Sequence, residues 1–215
     1  MMSLSFNICE IYETLMGESD AAGWPCTLIR MGGCNLHCTY CDTPYARHEY
    51  QGISLKRILE QVRHPYPHHV LVTGGEPLFQ SGTPRLLQIL LEQGHKVYIE
   101  TNGSLDIRSI DPRVVKIMDL KCPASGESKK NLFQNIRYLT PQDEIKFVIC
   151  DKTDFLWAKG ILKRHEIQKC APVLFSPAMP HLDPKLLAKW ILEEEMEVRF
   201  QIQLHKILWG EKRGI

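Results

Sequence analysis

Long hydrophobic stretches are missing from this sequence. Runs such as "LLQILL" (86–91) and "KFVIC" (146–150) fall far short of the roughly 20 apolar residues a membrane helix needs. An excess of charge of either sign is also missing. Lys plus Arg is 26 against 25 for Asp plus Glu, a net of +1, so bulk electrostatics gives no reason to expect a nucleic acid or a membrane as partner. The opening "MMSLSFNICEIYETLMGE" has no basic region ahead of an apolar stretch and carries acids early, so it does not read as a signal peptide. No repeat, linker or low-complexity segment divides the 215 residues, and one domain over 1–215 is the economical reading.

Also missing is a fourth cysteine near a group of three. In "GCNLHCTYCDT" (33–43), Cys34, Cys38 and Cys41 follow a C-x3-C-x2-C spacing. The other five cysteines, Cys9, Cys26, Cys122, Cys150 and Cys170, mostly sit in or beside apolar runs, where a reduced cysteine acts as a small hydrophobe. The expected setting is therefore reducing and cytoplasmic.

What is present is an alternation of extended and amphipathic segments. Strand patterns fall at 26–31, 69–73, 96–100, 114–120, 145–150, 172–176 and 198–204. Helix patterns lie between most of them. Ser54 caps a stretch with Leu55, Ile58, Leu59 and Val62 on one face, and a second helix runs through Leu86–Leu91 to Gly94. "NLFQNIRYL" and "TDFLWAKGILKR" read as two more, and Asp183 with Pro184 opens the last. This is an α/β pattern: a parallel sheet under helical cover, open or rolled into a full or partial barrel. Unusual residues gather where strands end, in "GGEP", "TNGS", "KCPAS" and "PAMP", the edge at which such folds build their sites.

Three cysteines on the loop 32–43 suit a cubane iron–sulfur cluster with one iron left open to a small molecule, and Gly32 and Gly33 allow the wrapping. The alternative is zinc, with His37 or His48 as fourth ligand.

With Tyr40 just before the third cysteine and "GGEP" one βα unit later, the pattern resembles the radical S-adenosylmethionine (SAM) enzymes. The resemblance implies a partial (β/α) barrel, a [4Fe-4S] cluster on Cys34, Cys38 and Cys41, and SAM on the open iron. It also implies SAM contacts from Tyr40, Cys41, Asp42, Gly74 and Gly75, with Glu76 receiving the methionine amino group. A closer likeness covers most of the chain through "EIYETLMGES", "GWPCTLIRMGGCNLHCTYCDT", "VLVTGGEPL", "YIETNGS", "DLKCPAS", "EIKFVIC" and "QLHKILWG". In these motifs the sequence resembles the 7-carboxy-7-deazaguanine synthase family of queuosine and deazapurine biosynthesis. That family turns 6-carboxy-5,6,7,8-tetrahydropterin into 7-carboxy-7-deazaguanine, losing ammonia.

That resemblance implies substrate contacts from Leu15, Met16, Gly17, Arg30 and Thr73, and Mg²⁺ on the hydroxyl of Thr43. Further SAM contacts are implied for Glu100, Asn102, Asp119, Lys121 and Ser176. It also suggests a homodimer and an electron donor such as flavodoxin. The family's commoner Gln-Gly-Glu reads Met16-Gly17-Glu18 here, which leaves Met16 main-chain contact and packing only. Gln203 and His205 either face the site or finish the last strand, and the tail after Trp209 is expected to fold over the pocket. His64, His68 and His69 read as surface loop residues. Two other readings stay open, an activase of glycyl-radical enzymes and a non-catalytic zinc or iron–sulfur module.

Overall fold

The computed structural model describes residues 4–64, 68–210 and 212–215. Nine strands form one sheet in the order β3-β1-β2-β4-β5-β6-β7-β8-β9. In chain order they are β1 (Ser5–Leu15), β2 (Pro25–Met31), β3 (Gln51–Ser54), β4 (His69–Gly74), β5 (Lys96–Thr101), β6 (Val115–Asp119), β7 (Glu144–Ile149), β8 (Val173–Pro177) and β9 (Arg199–Phe200). From β2 through β4 to β9 every pairing is parallel, while β1 pairs antiparallel with both β2 and β3. The expected parallel sheet with helical cover is present, in the open form.

Helices α1 (Leu55–Val62), α2 (Thr83–Glu92), α3 (Lys152–His165) and α4 (Pro184–Glu193) cover one face. Alternation along the strands explains why. Ile29, Val72, Ile99, Met118, Phe147 and Phe175 point outward into the main core with Ile58, Leu86, Leu90, Phe155 and Leu187 of the helices. The intervening side chains Cys26, Leu28, Leu71, Tyr98 and Ile117 form a second, smaller core on the inner face. Met16 and Ala21 complete it. They arrive on the β1–β2 loop, which crosses the inner face: Asp20 N–H donates to Glu144 of β7, and Gln201 after β9 exchanges two hydrogen bonds with Ser19.

Helix boundaries follow local chemistry. Asp151 and Asp183 accept from Asp154 and Lys185 as N-caps of α3 and α4, and Pro184 sits where its missing N–H costs nothing. Gly160 in α3 has open space beside it.

Four expectations change. β1 and the four-residue β3 are the strands that pattern reading misses, β1 because a register shift between Ile8 and Glu10 breaks its alternation. "NLFQNIRYL" is not an α-helix but a 3-10 helix, Phe133–Tyr138. Buried Asn135 there donates to the carbonyl of Leu105 and accepts from the Ile107 amide, tying the segment to a neighbouring loop. The final strand is only Arg199–Phe200, followed by helix α5 (Leu204–Trp209). His68 and His69 are not surface loop residues either. His68 is 7% exposed, and His69 begins β4 stacked between Trp24 and Tyr98.

Candidate active site

On the inner face, each strand turns polar as it reaches its C-terminal end. Leu28 gives way to Arg30, Leu71 to Thr73, Tyr98 to Glu100 and Ile117 to Asp119, with Lys146 beside Asp119 on β7. These side chains line a cavity of about 480 Å³, within the usual range for small-molecule sites. Cys34, Cys38, Cys41 and Thr43 line it from the cysteine loop, and Gln203, His205, Trp209, Lys212, Arg213 and Ile215 from the C-terminal segment.

The cysteine loop is fixed from several sides. Thr39 donates through its amide to Ser125 O and through its hydroxyl to Ala124 O, and His37 N–H donates to Glu127. All three thiols are free and half-buried, and burial pushes that of Cys38 up to about 11. Two thiolates on one zinc, at bonds of about 2.3 Å, stand roughly 3.8 Å apart. The donor atoms of Cys34, Cys38 and Cys41 do not all lie within 4.8 Å of one another, wider than a single zinc requires. Neither His37 nor His48 lines the cavity, and the His37 ring engages Arg47 at 2.8 Å. The zinc reading therefore loses its fourth ligand.

Gly74 and Gly75 present bare backbone to the cavity. A Cβ on Gly74 would lie 2.2 Å from Met31 O, and one on Gly75 would lie 2.0 Å from Gly33 O. The turn after β4 and the cysteine loop are in contact because both residues lack side chains. Glu76 does not share in this lining. It is fully buried, and its oxygens accept from Leu78 N (3.0 Å), Thr101 Oγ1 (2.8 Å) and Asn102 N (2.7 Å). In this structure the acceptors of Glu76 are turned toward the protein. Met16 also lies outside the lining. It is 1% exposed in the inner core, its amide donates to Trp24 O, and its carbonyl accepts from Gly23 N. Its neighbours Leu15 and Gly17 do line the cavity. Ser176 is buried on β8 outside the lining, and its hydroxyl finds no hydrogen-bond partner among the described residues.

Tyr40, Asp42, Glu100, Asn102, Asp119 and Lys121 reach the cavity. Asn102 Nδ2 points at Cys34 Sγ from 3.9 Å and donates to Asn35 at 3.1 Å. Arg30 is held in a fixed pose: Nε donates to Glu10 at 2.6 Å and one terminal nitrogen to Tyr12 OH at 3.1 Å, while Tyr45 OH donates to the same Glu10 oxygen. Thr43 opens a short 3-10 turn, yet its hydroxyl makes no capping hydrogen bond.

Charge is concentrated below. Lys146 donates to Glu18 at 2.5 Å and lies 3.8 Å from Asp119, and Asp119 takes a 2.8 Å hydrogen bond from Lys121. Burial pushes the Glu18 carboxyl up, but Lys146 and a hydrogen bond from Gln203 outweigh it and hold it at about 2. Glu100, which accepts from Thr73 at 2.6 Å, shifts upward, because its burial outweighs the more distant Lys146.

Residues 28–119 match the radical SAM superfamily. The 7-carboxy-7-deazaguanine synthase of Chlorobaculum tepidum is 40% identical over 213 residues, 97% of either chain. That of Koribacter versatilis is 38% identical over 97% of this chain and 99% of its own. The chain belongs to the 7-carboxy-7-deazaguanine synthase family. The fold agrees. The crystal structure of QueE from Escherichia coli gives a TM-score of 0.76 at 22% identity, covering 93% of this chain and 94% of that one. That of Streptococcus suis SuiB bound to S-adenosylmethionine gives 0.56 at 16%, over 82% and 47%.

The cluster and SAM implied by membership fit the residues present. Three thiols without a fourth, a glycine cradle, and an Asp119 Oδ1 with no hydrogen-bond partner among the described residues are donors and space for such groups. Sequence reading misses Glu18, Lys146 and the Arg30 supports Glu10, Tyr12 and Tyr45. Period-2 counting through "EIKFVI" was the available signal, since it sets Glu144, Lys146 and Val148 on one face.

Proposed function

We propose that this chain converts 6-carboxy-5,6,7,8-tetrahydropterin to 7-carboxy-7-deazaguanine with loss of ammonia, as a carbon–nitrogen lyase. The observation that carries the reading is that Arg30, preset by Glu10 and Tyr12, faces the same cavity as the three free thiols. A guanidinium held along one edge keeps donors for a carboxylate, and the pterin acid supplies one.

Cys34, Cys38 and Cys41 hold the cluster, and Gly74 and Gly75 let the methionine end of SAM approach the backbone. When bound, these groups supply the one-electron chemistry that removes hydrogen from the substrate. Arg30 grips the carboxylate, and Thr73, Glu100 and Gly17 line the space for the ring. Thr43 offers an uncommitted hydroxyl, suited to Mg²⁺, a hard ion that needs few protein ligands beside substrate oxygens and water. Trp209 and Ile215 add apolar surface to the lining, which suits the exclusion of water. A cavity walled by residues of the segment 203–215 suits a small molecule better than the peptide segment a glycyl-radical activase must admit. We extend the reading to an external one-electron donor such as flavodoxin and to a homodimer, for which exposed Leu156, Leu186 and Leu192 on α3 and α4 offer apolar surface.

The test is anaerobic reconstitution followed by incubation with SAM, dithionite and the carboxytetrahydropterin. Ammonia and a deazaguanine acid of the expected mass support the assignment. SAM cleavage without that acid overturns it.

A further inference from the structure

Arg213 reaches the cavity from the segment 212–215 and lies over the face of Tyr45, its guanidinium carbon 3.5 Å from the ring centroid. Tyr45 sits on the short 3-10 turn Pro44–Arg47, directly after Thr43. That turn is tied to the cysteine loop, because Ala46 O accepts from Gly33 N at 2.8 Å. The Tyr45 hydroxyl donates at 3.0 Å to Glu10 Oε1, the same oxygen that accepts from Arg30 Nε at 2.6 Å. One tyrosine thus stands between an arginine of the last segment and the arginine that faces the substrate space.

Three observations set Tyr45 apart from an ordinary packing aromatic. Its ring joins neither apolar core, so burial of hydrophobic surface does not account for its place. Glu10 and Arg30 share a single hydrogen bond rather than the two of a fork, and one such bond fixes a point without fixing a plane. Tyr45 OH, as a second donor on the same oxygen, sets where that oxygen stands, and Tyr12 OH, 3.1 Å from a terminal nitrogen of Arg30, sets the tilt of the guanidinium. Arg213 also pairs with Glu49 at 2.9 Å, but the two side chains are 54% and 61% exposed. Exposed pairs contribute little, so Glu49 aims Arg213 while the contact with Tyr45 faces inward. A cation over the ring draws electron density from the phenol and makes its hydroxyl a stronger donor to Glu10. Thr14 Oγ1 donates to Ile215 O at 2.8 Å, which fastens the same segment at a second point.

We propose that Tyr45 is a positioning residue through which Arg213 sets the pose of Arg30, so that seating of the segment 212–215 and the grip on the substrate carboxylate favour each other. This rests on the carboxylate role given to Arg30 above. With Arg213 seated, two donors hold the Glu10 oxygen, and the free edge of the Arg30 guanidinium keeps one direction. With Arg213 away, the phenol is a weaker donor, Glu10 gains rotamer freedom, and the ordering of Arg30 opposes binding. Such a link is reciprocal. A bound carboxylate, by fixing Arg30 and Glu10, favours the seated segment in turn.

The test is a double-variant cycle on the cluster-loaded protein. The dissociation constant of 6-carboxy-5,6,7,8-tetrahydropterin is measured by calorimetry under anaerobic conditions without SAM. Tyr45→Phe removes only the hydroxyl, and Arg213→Ala removes the cation over the ring. Each should weaken binding by about three- to tenfold, and the double variant should bind no more weakly than the weaker single. Iron content should stay at the parent's value. With SAM and dithionite added, both singles should release about threefold more deoxyadenosine per deazaguanine acid, the mark of a misplaced carboxylate that a merely structural role would not leave. Effects that multiply in the double variant, or singles that bind and partition as the parent does, overturn the proposal while leaving the assigned reaction in place. A parent that does not bind the pterin acid overturns the reading of Arg30 and the proposal with it.

Discussion

Glu76 accepts the backbone N–H of Asn102 at 2.7 Å, so the acid of the "GGEP" turn secures the end of β5. Thr101 and Leu78 take up its other oxygen. Among the described residues no charged side chain hydrogen-bonds it, and burial shifts its carboxyl upward.

Glu76→Gln should therefore lower stability before it alters SAM binding. The amide nitrogen is a donor set against donors, and an unsatisfied buried polar group costs about 1–3 kcal/mol. The unfolding temperature should fall by about 2–10 °C for a chain of this size, and the SAM KM should change less than threefold. A large KM effect on an undiminished melt would instead place the carboxylate on SAM.

Arg30 leads to the opposite expectation. It is fixed by Glu10, Tyr12 and, through Glu10, Tyr45, and a lysine cannot reproduce that fork. Arg30→Lys should raise the pterin KM by about 30–100-fold, the loss of a charge-assisted pair at about 2–3 kcal/mol. SAM cleavage uncoupled from product should persist. Chromatographic measurement of deoxyadenosine against deazaguanine acid reads both.

Thr43 is tested by a shape-preserving change. Thr43→Val keeps the branched side chain and removes the hydroxyl that makes no capping bond. Iron content should be retained while the stimulation of turnover by added Mg²⁺ disappears. Stimulation equal to the parent's would remove Thr43 from the magnesium site.

The parts of the site legible in the sequence are those fixed locally. Cysteine spacing, paired glycines and the alternation that sends Arg30 and Thr73 inward depend on a few adjacent residues. The function of Glu76 was not legible, because its partners Thr101 and Asn102 come from another strand. Met16 depended on the path of the β1–β2 loop over the inner face, where an apolar core was waiting for it. Gln203 and His205 were ambiguous because the last strand stops at Phe200. The ring of His205 then comes so close to Gly17 that a Cβ there would lie 2.2 Å from Nδ1.

Glu144 gives the pH dependence. Burial and then the charge of Asp20 raise its carboxyl to about 7, against an ordinary value of 4.5. Between those values the folded chain binds a proton that the unfolded chain has released, so stability falls as pH rises through that window. The shift corresponds to roughly 3–4 kcal/mol at most. The parent's unfolding temperature should drop between pH 4.5 and 7, and Glu144→Gln should flatten that slope. Equal slopes would mean that Glu144 ionises normally.

Lys146 and Glu18 provide the most searching test, because the pair lies under the cavity and joins segments far apart in sequence. Their side chains are only 9% and 7% exposed, and Gln203 donates to the second Glu18 oxygen at 2.7 Å. Lys146→Met leaves a buried carboxylate without its cation, which costs about 3–5 kcal/mol. Adding Glu18→Gln removes the stranded charge, so the double variant should recover most of the lost unfolding temperature. Turnover should not recover with it, because Asp119 and Glu100 still lack the ammonium that faces them. Stability and activity therefore separate in the double variant if the pair arranges the floor of the site. If both recover together, the pair serves folding alone.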